Sequence, residues 1–411
     1  MRILVYEHIS GGGFSGTPIL AGSLCEGYAM LRIAAAGFRL AGYTVATLLD
    51  SRIAALNPPL EADAVTSVSL ADEVDGAVKA AAGNVDAALV IAPEANGMLQ
   101  SLVESVQEAG AVSLNCESRV IGEASYKPAL WGRGKRLGLA VPETLLLDAQ
   151  DDTELVKRMV QNTFGFPFVV KPVVGEDCGG LMLVKDERQL AAALERIRRE
   201  WPAWRFMAQK YVDGMAASVS VLSTGREALP VSLNWQDTAL GPPESDSTYG
   251  GGFVPFDSPL KAEAFDAAKR LVESYRGLRG YVGVDMVLTQ DKPVVIEVNP
   301  RLTVSAVGLA SVAGFNLAQA IFDAAANGEL PAEPRTHGCS CFSKVQIPTQ
   351  APDAFREICR MDTVVSPPFP LQQGGNSCAL LEAHDDTLEE ARSKLEAARQ
   401  RLRYINRGGG A

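Results

Sequence analysis

Over residues 1–118, hydrophobic and polar positions alternate between two periods. Arg2–Tyr6 is a short apolar run of strand type, and Glu26–Leu40 repeats apolar side chains at helical spacing. The exchange continues. Tyr43–Leu49 predicts a strand ending at Asp50, Ala71–Ala82 a helix, Ala87–Ile91 a strand, Met98–Glu108 a helix and Ala111–Leu114 a last short strand. Strand and helix in turn predict a Rossmann-like parallel sheet with helices on both faces, whose ligands gather at the carboxyl ends of the strands. The loop after the first strand, HISGGGF, carries Gly11, Gly12 and Gly13, which permit close backbone approach to a ligand or simply a surface loop. It lacks the glycine order of a dinucleotide site.

The pattern changes near Arg119. Ser118–Leu137 reads as a helix containing Pro128, and Asp152–Thr163 as another. Phe166–Val170 is an apolar strand with Lys171 at its end. Then follow the loop PVVGEDCGG, a strand Leu181–Val184, a helix Glu187–Glu200 and strands Phe206–Tyr211 and Ser218–Leu222. Asn234–Phe256 is long, polar and glycine-rich, and reads as a functional loop. A helix from Asp257 to about Tyr275 precedes two apolar strands, Val282–Leu288 and Pro293–Ile296, joined by the turn TQDKP; Asn316–Ala326 is helical. Residues 331–411 give strand, helix, a proline-rich piece, strand and helix, and read as a small α+β cap. The boundaries expected are 1–118, 119–330 with a small lid at about 140–210, and 331–411.

Composition narrows the function classes. At 411 residues the chain calls for more than one core. A net charge of −11 argues against nucleic acid or an anionic membrane as partner. No apolar run approaches the roughly 18 residues of a membrane span. The 7 cysteines are odd in number and scattered, so they read as thiols in a reducing cytoplasm.

The chemistry concentrates between Gly280 and Leu302. Period-two alternation places Glu297, Asn299 and Arg301 on one face of the second strand, and Asp285 on the first can face them. Oxygen ligands beside a guanidinium suit Mg2+, with Mn2+ as a substitute, bridging nucleotide phosphates. Lys171, at a strand end beside the loop Gly175–Gly180, can reach a phosphate as a point charge while the loop covers it with backbone N–H groups.

With these residues in place, the chain resembles the ATP-grasp superfamily of carboxylate–amine ligases over about residues 115–330. The resemblance implies ATP and Mg2+ as cofactors, with Asp285, Glu297 and Asn299 holding the metal and Arg301 serving the reacting group. It implies that Lys127, Lys171, Gly175, Gly179 and Gly180 serve the phosphates. Gln209, Tyr211 and Val212 would form the adenine linker, while Met215–Ala216–Ala217 lacks the acid that often meets ribose. The strings YEHISGGG, SLCEGYAML and LLDSR are similar to the tyramine–glutamate ligases of methanofuran synthesis and their methylofuran counterparts. That closer resemblance implies small-molecule substrates: L-glutamate activated at its γ-carboxylate, and tyramine, tyrosine or a related amine. Gly12, Gly13, Glu26, Tyr249 and Arg301 are the substrate candidates, although Glu26 reads equally as an acid at a helix start. A biotin-type carboxylase, another amino-acid ligase such as that of pyrrolysine synthesis, a kinase-like enzyme and a nucleotide-binding regulator stay open, as does a homodimer.

Overall fold

The computed structural model describes residues 1–69, 74–174, 179–203, 205–332, 334–349, 351–371 and 375–408. Five strands come first: β1 (Arg2–Glu7), β2 (Thr44–Asp50), β3 (Ala64–Val68), β4 (Ala87–Ile91) and β5 (Val112–Ser113). They pair in parallel in the order β3-β2-β1-β4-β5. Alternate residues of β1 enter different cores. Ile3 and Val5 pack with helix Ala21–Leu40, while Leu4 and Tyr6 pack with helices Val74–Ala82 and Met98–Glu108. Burial on both faces explains the nearly continuous apolar runs. The edge strand β3 escaped the sequence reading because three of its residues are exposed and its pattern is weak. Of the helix expected at Ala71–Ala82, Val74–Ala82 is present, and 71–73 lie outside the described residues.

A second sheet is antiparallel: β6 (Thr144–Asp148), β7 (Phe168–Pro172), β8 (Met182–Val184) and β9 (Arg205–Lys210), in the order β6-β9-β7-β8. Helices Thr153–Thr163 and Glu187–Glu200 cover it with a core of their own, including Phe168, Val170, Leu190, Leu194 and Phe206. Both helices start at aspartates, Asp152 and Asp186, whose side chains accept from Leu155 N and Gln189 N.

The largest sheet comprises β10 (Met215–Thr224), β11 (Ala228–Ala239), β12 (Thr248–Val254), β13 (Arg279–Leu288), β14 (Pro293–Asn299), β15 (Cys339–Pro348), β16 (Val364–Ser366) and β17 (Asn376–Asp385). Its order is β14-β13-β10-β11-β12-β15-β17-β16. Three expectations need correcting. Most of the presumed loop Asn234–Phe256 is the hairpin of β11 and β12. Its glycines serve close strand approach: a Cβ at Gly252 would lie 2.2 Å from the Trp235 carbonyl oxygen. The C-terminal residues do not form a separate sheet, because β15, β16 and β17 extend the central one. The helix expected at Ser118–Leu137 is two helices, Ser118–Ser125 and Lys127–Arg136. The break falls at Tyr126, and Pro128 fits it: without an N–H it cannot bond back into the preceding helix, while the first turn of a new helix tolerates it.

Helix Ala21–Leu40 docks on the C-terminal strands. Arg32 Nη1 donates to the Val364 carbonyl at 2.7 Å, and Cys25 Sγ lies 3.3 Å from Cys378 Sγ. The six cysteines among the described residues are free thiols. Among the described residues no helix is long and apolar enough to cross a membrane.

Candidate active site

The antiparallel pairing of β13 and β14 sets the centre of the site. Asp285 stands directly opposite Glu297 in the register, and Gly283 opposite Asn299. Two acids facing each other across a ladder repel. The surrounding groups show how this is tolerated. Asn299 Nδ2 donates to Asp285 Oδ2 at 2.8 Å, and Gln236 Nε2, from β11, donates to Oδ1 at 3.0 Å. Lys127 Nζ lies 2.7 Å from Glu297 Oε1. Burial, then the Glu297 charge, push the Asp285 carboxyl up to about 6. Burial also acts to raise Glu297, but the nearby charges of Lys127 and Lys171 outweigh it and hold that carboxyl below its ordinary value.

This arrangement fits a divalent cation. A bound ion would relieve the repulsion between Asp285 and Glu297, and the Asn299 amide can turn its oxygen inward. Among the described residues no three His, Cys, Asp or Glu side chains cluster as a metal site. Two carboxylates and an amide are nonetheless the sparse set Mg2+ takes when phosphates supply further oxygens.

Lys127 and Lys171 arrive from different elements. The backbone N–H of Lys127 donates to the Val173 carbonyl at 3.0 Å, tying the helix start to the end of β7, which carries Lys171. Burial, opposed by the Glu297 charge and aided by Lys127, lowers Lys171 to about 8. Both lysines line a cavity of about 690 Å3. The sheet of β6 to β9 forms its roof.

One end of the cavity is lined by Val169, Leu181, Leu183, Val287 and Ile296 with Gln209, Tyr211 and Val212, an apolar slot with polar linker groups. Gln209 is buried and its Nε2 donates to Thr144 Oγ1 at 3.2 Å. Gly179 lines this end. Gly180 does not: it turns with φ +73° against Pro172 and Phe206. Gly175 lies outside the described residues.

The other end is built by the parallel-sheet domain. Glu7, Ile9, Ser23, Glu26, Gly27, Met30 and Ile91 line it, and Tyr249 and Arg301 face it from the central sheet. Arg301 Nε donates to Glu94 Oε1 at 3.0 Å, and Nη1 to its neighbour's carbonyl, Leu302 O, at 3.2 Å. Glu26 is met by a protein ammonium: Lys344 Nζ lies 2.5 Å from Glu26 Oε1 and 5.5 Å from the Tyr249 ring centroid.

One sequence expectation fails here. Gly12 and Gly13 do not line the cavity. A Cβ at Gly12 would meet Val68, and one at Gly13 the His8 ring, so these glycines let the turn Ile9–Gly13 pack inward. The sequence reading missed Glu7, Glu94, Gln236 and Lys344. Glu7 carried a signal, since it ends the first parallel strand where ligands gather. Lys344 carried none, because its approach to Glu26 depends on how the C-terminal strands dock.

Comparison with known proteins agrees with this geometry. Residues 135–305 match the model of an ATP-grasp domain, and residues 43–121 that of a pre ATP-grasp domain. Together the two matches take in more than half of the chain, which belongs to the ATP-grasp superfamily. Among named proteins it is similar to the tyramine–L-glutamate ligase of Methanocaldococcus jannaschii, with 30% identity over 250 residues. That match covers 60% of this chain and 65% of the relative, just under two thirds of its length. Among solved structures, an ATP-grasp superfamily protein from Archaeoglobus fulgidus aligns with a TM-score of 0.62 and 22% identity over 93% of this chain and 99% of that one. An ADP complex of N5-carboxyaminoimidazole ribonucleotide synthetase aligns with a TM-score of 0.68 and 17% identity over 99% and 97%. These two structures establish the fold.

Proposed function

We propose that the protein is an ATP- and Mg2+-dependent ligase that joins a carboxylic acid to an amine through an acyl phosphate. The observation that carries this reading is one cavity holding two buried lysines and a facing acid pair between an apolar slot and an acid-lined pocket. In it, Asp285, Glu297 and Asn299 would hold Mg2+, which would supply charge neutralisation for the ATP phosphates. Lys127 and Lys171 hold phosphate oxygens as point charges. The acid's carboxylate attacks the γ-phosphate, and Arg301, oriented by Glu94, stabilises negative charge at the acyl centre. The roof sheet excludes water and so protects the acyl phosphate.

For the substrates we propose L-glutamate, through its γ-carboxylate, and an aromatic amine such as tyramine or tyrosine, in the synthesis of a furan-type one-carbon coenzyme of the methanofuran or methylofuran kind. The similarity to the tyramine–L-glutamate ligase supports the pair. The pocket is consistent with it: Ile9, Met30 and Ile91 offer apolar walls, and Glu7 and Glu26 offer negative charge. The test is release of ADP and phosphate from ATP against a matrix of amino acids and amines. The expected result is release that needs glutamate and an aromatic amine together. Release with a different acid in place of glutamate would overturn the substrate pair, and no acid-and-amine-dependent release would overturn the ligase.

A further inference from the structure

Two carboxylates line the acceptor end of the cavity, and they differ in their company. Glu26 has the Lys344 ammonium at 2.5 Å. Glu7 is 2% exposed and is held by neutral donors: Ile9 N to Oε1 at 2.9 Å, Ser10 N to Oε2 at 2.7 Å and Ser10 Oγ to Oε2 at 2.6 Å. These fix the direction of the carboxylate without bringing a cation. Among the described residues no lysine or arginine forms an ion pair with it. The Arg301 guanidinium is close enough to favour its charge, but its Nε is committed to Glu94. On the helix side, Gly27 clears the approach, since a Cβ there would stand 2.6 Å from Oε1 and 2.7 Å from Oε2. The other charged or titratable groups around Glu7 are Tyr6 on its own strand and Glu26 on the helix. A buried carboxylate at the end of a parallel strand, open to a cavity and lacking a cation, calls for a cationic ligand.

We propose that Glu7 receives the acceptor amine, holding its ammonium and taking one of its protons as the nitrogen attacks the activated acid. This rests on the ligase reading. The ammonium gives one proton to the Glu7 carboxylate, and the freed lone pair forms the C–N bond. The C–O bond to phosphate breaks, its electron pair leaves with the phosphate, and the second N–H proton goes to that phosphate. The products are the amide, hydrogen phosphate and a protonated Glu7. Burial raises the Glu7 carboxyl above its ordinary value against the opposing hydrogen bonds and Arg301, which makes it a better proton acceptor. Ile9, Met30 and Ile91 beside it suit an amine on an apolar body.

The experiment compares the parent with Glu7→Gln on three readouts. The first is turnover with glutamate and tyramine. The second is exchange of the β–γ bridge oxygen of ATP with glutamate alone, which reports acyl phosphate formation. The third is turnover with hydroxylamine, a nucleophile largely uncharged at neutral pH that needs no proton acceptor. Glu7→Gln should raise the tyramine KM about ten-fold and lower its kcat about 100-fold. Exchange and hydroxylamine turnover should stay within about three-fold of the parent, well short of the loss of a general base. Equal loss on all three readouts would make Glu7 a support for the turn Ile9–Gly13 and overturn the proposal, as would parental turnover with tyramine. If Glu7→Gln does not fold, Glu7→Asp withdraws the carboxylate and should show the same split. Absence of acid-dependent exchange in the parent would instead overturn the ligase reading.

Discussion

Lys127 and Glu297 form a buried contact, Nζ to Oε1 at 2.7 Å, between the start of a helix and the strand end that carries the acid pair. In the nucleotide-bound protein the same ammonium would face both the carboxylate and phosphate oxygens. Lys127→Ala removes the largest single charge that favours the ionised Glu297. We expect the KM for ATP to rise about ten-fold or more, the loss of one charge-assisted contact. An ATP KM equal to the parent's in steady-state assays would restrict Lys127 to pairing with Glu297.

Glu297→Gln keeps the shape of the side chain and removes its charge. Turnover should fall by about 100-fold or more, in the range for loss of one electrostatic element of a site. The fold should persist, because the substitution also removes the repulsion felt by Asp285. Thermal melting with and without Mg-ATP separates the two effects. Near-parental turnover at saturating Mg2+ would take Glu297 out of the metal set.

Much of this was legible in the sequence, for reasons visible in the residues. β13 and β14 are apolar and partly β-branched, so their hairpin follows from period two, whereas the direct facing of Asp285 and Glu297 depends on a register shift between Asp285 and Met286 that no local pattern records. Lys171 could be placed because an apolar strand ends on it. β11 and β12 were not legible: polar residues and consecutive glycines are the composition of a loop, and only the packing of Gly251 and Gly252 against Phe342 and Trp235 gives them a role in strands. Glu94 and Lys344 join the site through distant pairing, with Arg301 and Glu26 respectively, which no local pattern records.

The hairpin is testable through Gly251. Its φ is +129°, and a Cβ there would lie 2.1 Å from the Phe342 carbonyl oxygen of β15. Both strands would have to part. Gly251→Ala should cost about 2–4 kcal/mol, seen as a lower urea midpoint. A parental midpoint would mean that β12 does not pair with β15 in solution.

Glu94 anchors Arg301 at 3.0 Å and is itself buried. Glu94→Gln keeps an acceptor oxygen but loses the charge that fixes the guanidinium. We expect kcat to fall about ten-fold with less than a two-fold change in the KM for ATP, because the lysines rather than Arg301 hold the nucleotide. A larger change in the ATP KM than in kcat would place Arg301 on the nucleotide instead of the acyl centre.

Lys171 gives the pH dependence its sign. Burial lowers it to about 8 in the free protein, whereas an ordinary lysine stays charged to about 10. Below pH 8 the ammonium is present and attracts phosphate; above it the charge is lost. The term kcat/KM for ATP reports the free enzyme, so it should be level between about pH 6, below which Asp285 takes up a proton, and pH 8, and fall towards tenfold per pH unit above. Lys171→Arg keeps a cation throughout this range, because a guanidinium does not titrate there. The alkaline fall should therefore disappear in Lys171→Arg, even if the bulkier side chain lowers kcat/KM at every pH. A fall at the same pH in parent and variant would assign the titration to another group.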